Sequence, residues 1–186
     1  MSPFLILRMT NRLEPGRMLD VGCRDFFVSS QFAEVGYSVH GIDPAPLPEV
    51  CPPRGVTFQQ TTFGAFTSNS KYDLVVASLV SQFVSLTLSE FLARLYDLCR
   101  IDGLIYITLI GDRDSWASNP KVKAVSFEHA NQLIAGSNLK PIFTSINWFE
   151  GTTYDGASKY WHVYQYLLMK QEGGRNTHAH KKEKLH

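Results

Sequence analysis

Cysteine is scarce in this chain. The three present (Cys23, Cys51 and Cys99) are odd in number, far apart, and form no Cys-x-x-Cys pair among 186 residues. That excludes a disulfide framework or a structural zinc site, and no metal centre is expected. It fits a reduced, cytoplasmic setting. Long hydrophobic runs are also lacking. The stretch MSPFLILRMTNR has four consecutive apolar residues before Arg8, too few for a signal-peptide core or a membrane span. Charge of one sign is lacking as well: of 18 basic and 17 acidic residues, four and two lie in residues 171–186, which leaves the body near neutral. A near-neutral body has neither the electrostatic footprint of a nucleic-acid binder nor a polybasic membrane surface. A small-molecule partner is what remains.

Short apolar runs alternate with helical spacing. Arg17–Val21 leads into Gly22-Cys23, and residues 26–35 place Phe26, Phe27, Phe32, Ala33 and Val35 on one helical face before Gly36. Residues 37–43 form a second strand ending at Asp43-Pro44, followed by a Pro-rich loop to Arg54. Val56-Thr57-Phe58 is a short third strand. Tyr72–Ala77 is the continuous apolar kind that is covered on both faces. Residues 88–99 carry a helical stripe with a stop and turn expected at Asp102-Gly103, and residues 104–110 are the next strand. A helix is expected over Phe127–Ala135, then strands over residues 139–149 and 160–169 with no helix between them. Such an order predicts one α/β domain over residues 1–170, a doubly wound, mostly parallel sheet closed by an antiparallel C-terminal hairpin. Residues 171–186 lack apolar periodicity and are expected to be disordered. The histidines there, His178 and His180, read as incidental.

In such a sheet ligands bind at the carboxyl ends of the strands near the reversal of strand order. Gly22-Cys23 and Asp43 fall there. Asp43 lies 21 residues after Gly22, the spacing at which an acidic side chain accepts hydrogen bonds from a ribose diol.

Met18-Leu19-Asp20-Val21-Gly22-Cys23, followed by residues 32–43 (FAEVGYSVHGID), resembles the first two motifs of class I S-adenosylmethionine-dependent methyltransferases. Residues 72–78 (YDLVVAS) and 102–106 (DGLIY) resemble the fourth- and fifth-strand motifs of that family. Gly111-Asp112-Arg113-Asp114-Ser115-Trp116-Ala117 and Lys159-Tyr160-Trp161-His162-Val163-Tyr164 are similar to small bacterial methyltransferases of the tellurite-resistance type. The resemblance covers roughly residues 15 to 170 in order. It implies a seven-stranded (or slightly reduced) Rossmann-like sheet and S-adenosylmethionine as methyl donor. The donor's methionine end would lie near Gly22, Cys23 and Arg24, its ribose on Asp43 beside Pro44, and its adenine near Thr61 and Thr62. Residues 77–83, with Ala77, Ser78 and Gln82, would close over the sulfonium. No fixed catalytic residue is implied, because in-line transfer depends mainly on positioning.

The family's glycine-rich loop has glycines where this chain carries Arg24 and Phe26, and its adenine-side acid has no counterpart in residues 59–66. Arg24 either pairs with the donor's carboxylate or obstructs it. Two functions follow: methyl transfer to an unidentified small molecule, or a donor-free, catalytically inactive pseudoenzyme acting as a binding or regulatory module. A nicotinamide-dependent oxidoreductase is a lesser alternative, since that fold also needs glycines in this loop. For the acceptor pocket the candidates are Gln82, Asp112, Trp116, Trp161 and His162. Against them stand plain readings: a solvated turn for residues 112–114, core packing for Trp116, and hairpin packing for Trp161 and His162. Cys23 has no adjacent base and reads as a small buried side chain.

Overall fold

The computed structural model describes residues 2–47, 51–153 and 155–172. In chain order the elements are α1 (Pro3–Met9), β1 (Arg17–Val21), α2 (Phe27–Glu34), β2 (Ser38–Asp43), β3 (Val56–Gln60), β4 (Tyr72–Ala77), α3 (Leu88–Leu98), β5 (Cys99–Ile110), α4 (Phe127–Ala135), β6 (Leu139–Thr152) and β7 (Ser158–Lys170). They form one seven-stranded sheet in the order β3-β2-β1-β4-β5-β7-β6. β1 to β5 run parallel, while β7 is antiparallel to both β5 and β6. This is the expected α/β architecture. Strand order reverses at β1, which lies between β2 and β4, so the crevice at the carboxyl ends of these strands is where such a sheet binds ligands.

Each face of the sheet carries its own core because alternate strand residues point to opposite sides. On one face Leu19, Val75, Ile105, Ile107 and Tyr166 pack against Phe91, Leu92 and Leu95 of α3 and Ala130 and Ile134 of α4. On the other, Met18, Val39, Leu74, Val76, Tyr106 and Leu167 pack against Ile6 and Leu7 of α1 and Phe32 of α2. A third, smaller cluster of Ile110, Trp161 and Val163 lies at the carboxyl end of β5, with Leu79, Trp116, Val122 and Ala124 against it.

Three features differ from the sequence expectation. Helix α1, capped by Ser2 and started by Pro3, had no counterpart in it; seven residues are too short for a periodic signal, and burial of Ile6 and Leu7 against the sheet stabilises the helix. The turn expected at Asp102-Gly103 is an irregularity inside β5, which already starts at Cys99 opposite Tyr72 and shifts register before Leu104. Asp102 takes a left-handed φ of 58° there. The terminal hairpin is also longer than its apolar pattern. β5 ends at Ile110 opposite Val163, whereas β6 and β7 stay paired as far as Thr152 and Ser158. The overhang reaches past the carboxyl end of the sheet. The expected disorder after residue 172 lies outside the described residues.

Candidate active site

Backbone hydrogen bonds tie the loops after β1, β2 and β3 to one another. The amides of Gly22 and Cys23 donate to the Ile42 carbonyl at 2.8 and 3.2 Å, and the Thr61 amide donates to the Asp43 carbonyl at 3.0 Å. The Asp43 carboxylate, 9% exposed, accepts from the Arg24 amide at 3.2 Å and the Ala45 amide at 2.8 Å. A carboxylate has about four lone-pair sites, so this one is fixed in orientation and still able to accept from a diol.

The loop after β1 resolves the missing glycines. Gly22, Arg24 and Phe26 have φ of 75°, 44° and 62°. Left-handed backbone therefore recurs at every second residue, although two of the three carry side chains that disfavour it. A Cβ on Gly22 would lie 2.6 Å from Val80 Cγ2, so the β1 loop is closed tightly against the β4 loop and only glycine fits at that contact. Phe26 is held by burial and by edge contact with Phe58.

Beneath this loop lies a residue that motif matching did not single out. Asp20 is buried, accepts from Ser29 Oγ at 2.6 Å, and burial pushes its carboxyl up to about 6. The signal in the sequence was an acidic residue inside an otherwise apolar strand run. The Cys23 thiol is buried and pushed up to about 12, first by desolvation and then by Asp20 and Asp43, so it stays protonated and acts as packing.

Thr61 and Thr62 begin the turn after β3. Thr62 Oγ1 accepts from the Ala65 amide at 3.2 Å, and Arg94 on α3 donates to the carbonyls of Phe63 (2.7 Å) and Phe66, fastening the turn to the helix. Ala77 ends β4 and Ser78 lies beside Thr108 of β5, their hydroxyls 3.5 Å apart. Gln82 is buried. Its amide nitrogen donates to the Leu79 carbonyl at 2.7 Å, while Oε1 has no partner among the described residues. Gly22, Cys23, Arg24, Asp43, Pro44, Thr61 and Thr62 are thus brought together by the β1–β3 loops, with Ala77, Ser78 and Gln82 in or just after β4.

The other side of the crevice is built from side chains. Asp114 and Lys159 form an ion pair with both side chains essentially inaccessible to water. The Lys159 ammonium lies 4.4 Å from the Trp116 ring centroid and 4.0 Å from that of Trp161. Asp114 also accepts from the amides of Trp116 (2.9 Å) and His162 (2.9 Å). Two desolvated charges are tolerable only when every remaining lone pair and proton is engaged, and here the indole faces and amides engage them. The turn reading of residues 112–114 is therefore right for exposed Asp112, which accepts from Tyr164 Oη at 3.1 Å, and wrong for Asp114. His162 Nδ1 accepts from the Arg113 amide at 3.1 Å, which places the proton of the neutral ring on Nε2. A Cβ on Gly111 would lie 2.5 Å from that Nδ1, so glycine lets the β5 loop close onto the histidine. Trp116, Trp161, Phe83 and Phe149 line up by ring contacts: Phe83–Trp116 at 6.2 Å, Trp116–Trp161 at 5.6 Å and Phe149–Trp161 at 6.2 Å. Phe83 ends the segment expected over the sulfonium, whereas Phe149 was not singled out; both are exposed aromatics, and only the fold brings them beside the two tryptophans. Among the described residues no cluster of three or more histidine, cysteine or acidic side chains could hold a metal ion, and no helix is long and apolar enough to cross a membrane.

A family model described as a methyltransferase domain matches residues 3–156. No curated protein sequence matches the chain significantly. Among solved structures it is similar to 1,6-didemethyltoxoflavin-N1-methyltransferase of Burkholderia thailandensis, solved with bound 1,6-didemethyltoxoflavin and S-adenosylhomocysteine: 16% identity, 91% of this chain and 76% of that one, TM-score 0.67. TehB of Haemophilus influenzae aligns at 14% identity over 89% of this chain and 61% of its own length, TM-score 0.69. The N-methyltransferase NodS of Bradyrhizobium japonicum, in complex with S-adenosylhomocysteine, aligns at 13% identity over 92% and 89%, TM-score 0.65. At these identities the likeness to solved structures establishes the shared fold.

Proposed function

The chain belongs to the methyltransferase domain family, and from that premise we propose that it transfers a methyl group from S-adenosylmethionine to a small, uncharged acceptor seated between the β4 loop and the β6–β7 hairpin. The observation that carries the donor side is the loop after β1, whose left-handed turns at residues 22, 24 and 26 persist without the usual glycines. Backbone strain of this kind is kept where the surroundings over-determine it, as at ligand clamps.

The residues present fit the donor. Asp43, fixed by two amides, accepts from the ribose hydroxyls. Asp20, buried beside the loop and forced toward protonation, gains a counter-charge if an ammonium docks above it. Thr61 and Thr62 offer hydroxyls to the adenine edge, and Pro44 packs against the ribose. When bound, the donor supplies an electrophilic methyl on a sulfonium, which an acceptor lone pair takes in line as the carbon–sulfur bond breaks. The chain's part is positional: Ala77, Ser78 and Gln82 set the floor beside the methyl, and the aromatic wall of Trp116 and Trp161 excludes water. An N–H or O–H nucleophile loses its proton to water at the open end of the crevice; His162, whose Nδ1 is held by the Arg113 amide and whose neutral ring carries its proton on Nε2, has no free lone pair to take it.

Membership in the methyltransferase domain family removes the oxidoreductase alternative, and no observation favours a domain that has lost the donor. Calorimetric titration with S-adenosylhomocysteine tests the reading. Micromolar binding is expected; a folded protein with no binding up to about 1 mM, an affinity of only about −4 kcal/mol, would overturn it. The location of the domain in the cell is proposed as cytoplasmic on the reduced cysteines alone.

A further inference from the structure

The sheet face that carries α1 and α2 has an uncharged polar row between its two apolar clusters. Ser78, Thr108, Gln165, Ser145 and Asn147 follow one another from the end of β4 across β5, β7 and β6, joined by the Tyr106 hydroxyl. Thr108 Oγ1 is 3.2 Å and Gln165 Nε2 3.0 Å from Tyr106 Oη. Ser145 Oγ and Asn147 Nδ2 donate to Gln165 Oε1 at 3.1 and 3.0 Å, and Asn147 Nδ2 is 2.8 Å from Ser145 Oγ. Below the row, Tyr106 and Leu167 pack with Ile6 and Leu7 of α1. Above it, Ile110, Val163 and Trp161 pack under residues 116–124. At the same level on the opposite face the strands present Ile107, Leu109, Tyr164 and Tyr166 to the core.

A sheet core has no need of such a row, since apolar side chains would fill the same space without the desolvation cost. Thr108 and Gln165 are buried, whereas Ser78, Ser145 and Asn147 are half-buried, so the row opens to solvent at both ends. One end, Ser78, is at the methyl-transfer position of the reading above. Three strand spacings make the row about 14 Å long, and it contains hydroxyls and amides but no ionisable carboxylate or ammonium.

We infer that this row is the recognition edge for the acceptor: an uncharged, flat molecule bearing hydrogen-bond donors and acceptors along one side, such as a lactam or hydroxylated heterocycle, with its nucleophilic atom at Ser78. Its apolar face rests on Trp161 and Phe149. The inference rests on the methyltransferase reading and names the substrate class for that same site.

The test is a transfer assay, following S-adenosylhomocysteine release, on two sets of probes. The first set is 2-pyridone, uracil, 4-hydroxyquinoline and catechol. The second is putrescine, 2-mercaptoethanol, selenite and tellurite, which are charged or lack such an edge. Turnover is expected from the first set. Thr108→Val, Gln165→Leu and Asn147→Ala are expected to lower kcat/KM by about 10- to 100-fold, mainly through KM, because a site built to hydrogen-bond its substrate discriminates by unpaired polar groups. S-adenosylhomocysteine affinity should stay within about twofold in all three variants, since none touches the donor. Asn147→Ala, at the half-buried end, keeps the test sound if a buried variant fails to fold. Donor binding with turnover of the second set only, or of neither set, overturns the inference, as does turnover of the first set that the variants leave unchanged. Failure of wild type to bind S-adenosylhomocysteine overturns instead the reading on which it rests.

Discussion

The two sides of the crevice are made of different material. The donor side, at the tips of β1, β2 and β3, is mostly main chain: amides of Gly22, Cys23, Arg24, Ala45 and Thr61 set its shape, and Asp43 and Asp20 are its buried carboxylates. The acceptor side, at the tips of β5, β6 and β7, is mostly side chain: a caged Lys159–Asp114 pair, four aromatic rings and a polar row. A ligand common to a whole family can be gripped by backbone, which every sequence supplies. A ligand particular to one member must be read by side chains. That contrast predicts where substitutions reach the ligands: on the donor side through donor affinity, on the acceptor side through specificity and the stability of the aromatic wall.

The largest effect is expected at Lys159. Lys159→Ala leaves Asp114 buried and unpaired, and breaking such a pair costs about 3–5 kcal/mol, readable as a loss of chemical-denaturation midpoint. A double variant, Lys159→Met with Asp114→Asn, should recover much of it; if the single variant costs under about 1 kcal/mol, the pair is not what holds the aromatic wall. Next is Asp43→Ala, expected to weaken S-adenosylhomocysteine binding by about 2–3 kcal/mol, or about 30- to 150-fold, through loss of charge-assisted hydrogen bonds. Unchanged affinity would move the ribose elsewhere and dissolve the comparison.

Asp20 gives a pH signature. Its folded pKa is raised from 3.8 to about 6, so the folded chain holds the proton more tightly than the unfolded one. As a result its contribution to stability is most favourable below about pH 4, is lost as pH rises through 6, and is absent-to-unfavourable above that. Asp20→Asn should therefore raise unfolding free energy at pH 8 by about 1–3 kcal/mol and flatten the slope between pH 4 and 6. A slope unchanged by the substitution would assign that titration to another group. The smallest effect is expected from Arg24→Gly. Relief of the left-handed φ should raise stability by about 0.5–1 kcal/mol, or about 1–4 °C in Tm. Donor affinity measured on the same variant separates the two roles for the guanidinium: weaker binding means it pairs with the donor's carboxylate, tighter binding means it obstructs.

Legibility differed between the two sides for the same reason. β1 and β4 have the bounds that their continuous apolar runs give, and Asp43 stands at the end of β2 as expected, because these depend on neighbours in the chain. The hairpin was underestimated, since residues 150–152 pair without any apolar alternation of their own. Asp114 looked like a solvated turn residue because its partner Lys159 is 45 positions away. The left-handed turns at Arg24 and Phe26 were hidden because the sequence signal for them is glycine, and glycine is absent there.

What the sequence determined by itself was the order of strands and helices from β1 onward, the sheet they must form, and the family. Local periodicity and short motifs carry all of that, since each depends on residues a few positions apart. What only the tertiary structure decided was which side chains meet across the sheet: Asp20 under its loop, Lys159 between two tryptophans, and the row from Ser78 to Asn147. Burial and pairing across strands set the energy of those groups, and no local pattern encodes a partner separated by tens of residues.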